Sequence, residues 1–182
     1  VLFNYYKKKM KVNFLKIIIF SFVIFFLLIF WLGLKKDNSY NTKNLIGHRI
    51  SSFQLPSIHN NDLISDEVLK QNQFTLINFF ASWCAPCRIE HQYLIKIANQ
   101  NKNVKILGIN FKDKKINALD FLSKLGDPYN FVAEDPDGKA SILFGTYGIP
   151  ESILINKELN IIKKIIGPID QKQFEEILNL TQ

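Results

Sequence analysis

Trp83-Cys84-Ala85-Pro86-Cys87-Arg88 follows the apolar run Phe74-Thr75-Leu76-Ile77-Asn78-Phe79-Phe80 and leads into residues 89–100, which read as helical. The order is a strand, a sharp turn and a helix with both cysteines on its first turn. Unpaired backbone N–H groups and the helix dipole at that end favour an anion, so a thiolate at Cys84 is stabilised relative to a free cysteine. Cys84 is therefore the expected nucleophile. Cys87, three residues on and on the same helical face, is placed to close a small disulfide ring and release whatever Cys84 has captured. Pro86 suits the first turn because its missing N–H has no helical acceptor there.

These are the only two cysteines in the chain, so a bridge, if one forms, joins them. Other readings of the pair compete. Cys84, Cys87 and His91 offer three ligands of a zinc site, although no further cysteine exists and His48 and His59 lie far along the chain. A haem-attachment motif is excluded by Arg88 in the histidine position. Two inert core cysteines do not account for Trp and Pro at a strand-to-helix turn.

Residues 17–34, IIIFSFVIFFLLIFWLGL, carry no charge and approach the ~20 apolar residues that span a bilayer. Lys7, Lys8, Lys9, Lys11 and Lys16 precede this stretch and only Lys35 and Lys36 follow closely, which predicts a cytoplasmic N-terminus. The stretch exceeds a usual signal-peptide core and no small-x-small cleavage site follows it, so a retained anchor is expected. The expected start is Val1 through an alternative start codon, or Met10, and both keep the anchor. Residues 1–36 hold seven Lys and no acid, while the rest balances sixteen basic against sixteen acidic residues, so the net +7 is a topology signal and not a nucleic-acid surface. The expected divisions are a cytoplasmic tail over 1–16, an anchor over 17–34, a polar tether over 35–44 and a folded domain over 45–182.

Within that domain, residues 45–47 and 52–56 read as short extended pieces and 63–70 as a helical turn or two. Residues 104–110 suit a buried strand, 115–125 an amphipathic helix and 131–133 a short strand. Asp135-Pro136-Asp137-Gly138 is a turn signal that shares only a fragment of a calcium loop. One helical turn is expected over 141–144, a hairpin from 152–156 and 161–166, and a closing helix over 171–180 capped by Asp170. This order is an α/β thioredoxin-like fold with a central helix-strand insertion and an N-terminal extension, preceded by one transmembrane helix.

The C-x-x-C block, Gly108-Ile109-Asn110-Phe111-Lys112-Asp113, Gly145-Thr146-Tyr147-Gly148-Ile149-Pro150-Glu151-Ser152 and Gly167-Pro168 together resemble the membrane-anchored thioredoxin-like proteins of cytochrome c maturation, the CcmG/DsbE group. The resemblance implies that Pro150 is a cis-proline facing the redox pair and that the Ile149 backbone pairs with an extended substrate peptide beside Cys84. It also implies that Ala85 and Pro86 face that peptide, that Trp83 walls the exposed sulfur, and that Glu90 and Glu151 are the acidic residues around the site. A carboxylate there raises the thiol pKa by like-charge repulsion and can take the proton of Cys87. Read from the residues alone, Glu90 is equally a solvated helix carboxylate, Trp83 core filling and Pro150 an ordinary trans proline. Phe80, Gln92 and the stretch 48–51 depart from the group's pattern.

The implied activity is that of a protein thiol-disulfide oxidoreductase reducing disulfides of apocytochrome c, or of a partner thiol carrier, on the periplasmic side of the inner membrane. A DsbD or CcdA type transporter would return the electrons, with no dissociable cofactor, no metal and a monomeric state. A more general anchored thiol reductase, a disulfide donor, and a non-enzymatic module that binds metal or apocytochrome through Cys84, Cys87 and His91 are the alternatives.

Overall fold

A computed structural model describes residues 2–34, 45–60 and 62–182; the tether expected over 35–44 lies outside the described residues. The chain divides into two units, Val1–Asn41 and Thr42–Gln182. In the first, one helix, α1, runs from Leu2 to Leu34. None of the 18 residues Lys16–Gly33 is buried, and their mean hydropathy is 2.6. A stretch this apolar on every face has the composition of a membrane span or of a signal sequence. By length and composition α1 can cross a bilayer.

The second unit runs β1 (Gln54–Pro56), β2 (Leu63–Ser65), α2 (Asp66–Leu69), β3 (Phe74–Phe80), α3 (Ala85–Gln100), β4 (Val104–Phe111), α4 (Lys115–Leu125), β5 (Phe131–Asp135), α5 (Lys139–Leu143), β6 (Glu151–Asn156), β7 (Ile161–Ile166) and α6 (Gln171–Leu180). Five strands form one sheet in the order β5-β4-β3-β6-β7. β3 is central, parallel to β4 and antiparallel to β6, and β4 is parallel to β5. Such a strand is covered on both faces and reads as a continuous apolar run, which is why residues 74–80 were legible. Ile77 and Phe79 pack with Leu107, Ile109, Ile153 and Phe144 on one face. Leu76 packs on the other with Leu94 and Ile97 of α3 and Phe174 and Ile177 of α6. The α4–β5 pair is the central insertion and adds β5 to the sheet edge.

Three segments differ from the sequence expectation. Residues 45–47 are a tight turn and not an extended piece: the His48 N–H donates to the Leu45 carbonyl at 3.2 Å and Gly47 takes a φ of +85°. Residues 63–65 are a strand, not helix, because they pair antiparallel with β1 in the register Gln54↔Ser65 to Pro56↔Leu63. The Asp66 carboxylate accepts from Ser52 Oγ at 3.1 Å and from Phe53 N at 3.3 Å, and leaves only Asp66–Leu69 helical. The turn at 135–138 starts α5 at Lys139, two residues earlier than expected, because buried Asp135 accepts from the N–H groups of Ala140 and Ser141 and from Ser141 Oγ. That carboxylate caps a helix. Asp170 caps α6 as expected, and Gln173 returns the bond to the Asp170 N–H at 3.1 Å.

Gly108 of β4 is fixed by packing. A Cβ there would lie 2.9 Å from Tyr129 Cδ1 and 3.0 Å from Phe80 Cε1, two rings stacked at 4.9 Å between centroids. Gly108→Ala is expected to destabilise the domain by about 1–3 kcal/mol through overpacking, read as a lower urea midpoint at unchanged slope; an unchanged midpoint would show that the rings give way freely.

Candidate active site

The turn between β3 and α3 places the cysteines. Cys84 is the N-cap of α3, and its sulfur accepts from the Cys87 N–H at 3.2 Å. The two are joined as a disulfide with Cα atoms 5.3 Å apart. Cys84 keeps 4% of its surface and Cys87 1%, so the first is the more accessible, though less exposed than its expected role suggested. Trp83 stands out from this surface at 59% exposure, which rules out core filling. Its Nε1 donates to the Lys112 carbonyl at 3.2 Å and its ring faces Phe111. Ala85 and Pro86 are exposed on the same rim.

The Ile149-Pro150 bond is cis. Ile149 packs against the apolar cluster that holds both cysteines, with Phe80, Phe121 and Leu122. A shallow groove of about 160 Å³ lies beside it, lined by Phe111, Lys112, Ile142, Tyr147 and Gly148 among others.

The two expected acids part company. Glu90 is fully buried, not a solvated carboxylate. Its Oε1 accepts from Asn78 Nδ2 at 2.8 Å and its Oε2 from the Ile169 N–H at 2.9 Å. Burial pushes its pKa up to about 7, against the lowering effect of those two hydrogen bonds. Three residues beyond Cys87 on α3, its Cβ lies roughly 5–6 Å from that of the cysteine. A carboxyl poised near neutrality there can accept or return the Cys87 proton.

Asn78 is held in turn. Its Nδ2 also reaches Ser152 Oγ at 3.0 Å, and its Oδ1 accepts from the Tyr129 hydroxyl at 2.8 Å. Burial first, then the charges of Glu90 and Asp127, raise the Tyr129 pKa well above the usual phenol range, so the hydroxyl stays a donor. Glu151 is also buried, but its carboxylate is taken up by the Tyr147 and Gly148 N–H groups, at 2.8 and 3.1 Å, and by Lys164. It holds the loop that carries Ile149.

Asp113 holds the other side of the site. Its Oδ2 accepts from the Ser82 N–H at 2.7 Å and from Asn110 Nδ2 at 3.2 Å. Partial burial works to raise its pKa, but the hydrogen bonds from Ser82, Asn110 and the Lys114 N–H outweigh it and hold the carboxyl below its usual value. His91 is placed for packing: Nε2 donates to the Gly126 carbonyl at 2.8 Å and the ring meets Phe121 edge-on. Among the described residues no three His, Cys, Asp or Glu side chains gather as a metal site.

Asn78, Tyr129 and Lys164 were not singled out in the sequence, and Asp113 entered only as the last residue of the Gly108–Asp113 block. A signal existed for Asn78 and Lys164, each a polar residue inside an apolar strand. Tyr129 carried none.

A helix-start disulfide facing a cis-proline loop on a β3-centred sheet makes this a thioredoxin-like thiol-disulfide oxidoreductase. Residues 46–180 match the Redoxin family. DsbE of Allochromatium vinosum, a thiol:disulfide interchange protein, is 37% identical over 145 residues, 79% of each chain. DsbE of Escherichia coli K12 is 35% identical over 133 residues, 72% of this chain and 71% of its own. CycY of Rhizobium leguminosarum bv. viciae, also a thiol:disulfide interchange protein, is 47% identical over 105 residues, which span 58% of this chain and 55% of CycY. A solved thiol:disulfide interchange protein of the thioredoxin family from Chlorobium tepidum superposes with a TM-score of 0.63 at 24% identity, over 74% of this chain and 96% of that one. The chain belongs to the Redoxin family and, within it, to the DsbE group of thiol:disulfide interchange proteins.

Glu90 gives a pH signature whose sign is fixed. Its folded pKa lies above the unfolded value of 4.5, so between pH 4.5 and 7 the native state holds more protons than the unfolded one, and stability falls as pH rises through that window. At 1.36 kcal/mol per unit the loss is about 3 kcal/mol. Urea unfolding of the oxidised chain at pH 5 and pH 8 should show this fall, and Glu90→Gln should remove it. Parallel curves for the two proteins would contradict the assignment.

Proposed function

We propose that the chain is a reductant, delivering two electrons to disulfides in the haem-binding segment of apocytochrome c, or in a thiol carrier that serves it, at the periplasmic face of the inner membrane. The buried Glu90 carboxyl one turn below Cys87 carries this reading. A strongly oxidising pair has a reduced form stabilised by a very acidic thiolate, and a carboxylate beside the pair works against that thiolate. The lysines before the apolar stretch 17–34 and their scarcity after it support a cytoplasmic N-terminus and a domain on the outer side.

In the proposed cycle, the Cys84 thiolate attacks a substrate disulfide. A Cys84–substrate bond forms, the substrate bond breaks and its second sulfur leaves as a thiolate. Cys87 passes its proton to the Glu90 carboxylate and attacks Cys84; the substrate departs with both sulfurs reduced and Cys84–Cys87 is the oxidised product. The Ile149 backbone pairs with the extended substrate beside Cys84, and Trp83, Ala85 and Pro86 border it. A DsbD or CcdA type membrane protein supplies the two electrons that restore the dithiol.

Cys87→Ser tests the cycle. Mixed with a peptide carrying an oxidised Cys-x-x-Cys-His segment, the reduced variant should accumulate a covalent adduct at Cys84, seen as one added peptide mass that a reductant removes. Peptide binding without an adduct would favour a non-enzymatic binding module.

A further inference from the structure

Lys164 lies within β7, and its side chain has no exposed surface, whereas its neighbour Lys163 is partly exposed and pairs with Glu176. Its Nζ donates to the Gly145 carbonyl at 2.5 Å and faces Glu151 Oε2 at 3.1 Å, in an ion-pair contact rather than an aligned hydrogen bond. It also lies 5.8 Å from the Tyr147 ring centroid. The other Glu151 oxygen accepts from the Tyr147 and Gly148 N–H groups. The Lys164 ammonium thus meets residues 145–148 directly, at Gly145 and Tyr147, and indirectly through Glu151, and these residues run into Ile149 and Pro150.

Stability alone does not explain a lysine here. Replacing a buried ion pair with apolar residues is often neutral or stabilising, because the desolvation cost of two charges offsets their attraction. An ammonium whose contacts fall on one loop and on the carboxylate that holds the amides of that loop instead fixes the conformation of the loop. Gly145 supplies the backbone freedom the arrangement needs: its φ is +64°, and a Cβ there would stand 3.9 Å from Nζ.

We propose that Lys164, acting through Glu151 and the Gly145 carbonyl, is the positioning residue that presents the Ile149 backbone to a polypeptide disulfide, and so separates peptide substrates from small disulfides. This rests on the pairing of substrate with Ile149 given above. The exchange chemistry at Cys84 does not pass through Lys164, whereas the alignment of an extended chain does. Small displacements of a positioned reactant cost up to ~100-fold in rate.

The test compares rates of oxidation of the reduced chain, anchor included and in detergent, by glutathione disulfide and by a peptide disulfide of the Cys-x-x-Cys-His type. Lys164→Met should slow the peptide reaction roughly tenfold or more while the glutathione rate stays within about twofold. Because Glu151 would then be buried unpaired, Glu151→Gln with Lys164→Met is made in parallel; it removes both charges and should show the same selective loss. A variant that keeps the preference for peptide over glutathione overturns the proposal. Unmodified protein that has no such preference overturns instead the pairing role of Ile149. Hydrogen exchange of the unmodified chain gives a readout without a variant: the Tyr147 and Gly148 amides should be protected, and exchange at the rate of an open loop would also overturn the proposal.

Discussion

A carboxyl group with no access to water, Glu90, is the constraint around which the redox half of the domain is built. A buried carboxylate is costly unless donors meet it, and here the donors come from two distant places: Asn78 in the central strand and the Ile169 N–H before α6. Asn78 extends the network to Ser152 on β6 and to Tyr129 before β5. The group beneath the disulfide therefore ties α3 to β3 and β6 and to the segments that lead into β5 and α6. Its own pKa, near 7, is the balance between burial and those two bonds.

The loops that frame the disulfide are pinned by acids as well. Asp113 takes the Ser82 N–H just before Trp83, and Glu151 takes the Tyr147 and Gly148 N–H groups just before the cis bond. Neither carboxylate is presented to substrate as free charge. The surface beside the disulfide carries exposed Trp83, Ile142 and Tyr147 together with the cations Arg88 and Lys112. Phe80, where the sequence departs from the group's pattern, is accommodated by stacking on Tyr129 over Gly108.

What the sequence showed was the part whose causes are local. A helix start with Pro86, an apolar central strand, the Asp170 cap and the 152–166 hairpin each announce themselves within a few residues. The Pro150 block was legible as a motif, and the structure makes the bond cis. What stayed hidden depends on partners far apart in the chain: Glu90 with Ile169 is separated by 79 residues and Asn78 with Ser152 by 74. For the same reason the residues alone left Glu90 open between an acid of the site and a solvated helix carboxylate. Residues 63–65 read as helix because only their pairing with β1 makes them a strand. Glu151 was read as a partner of the cysteines; Lys164, thirteen positions on, claims it.

A buried acid beside Cys87 should hold this pair on the reducing side. The direct test equilibrates the chain with dithiothreitol or glutathione buffers at pH 7, alkylates free thiols and weighs the products, which is unambiguous with two cysteines. The unmodified chain should show a reduction potential at or below roughly −200 mV. A value near roughly −120 mV would make the protein a disulfide donor and contradict the reducing role.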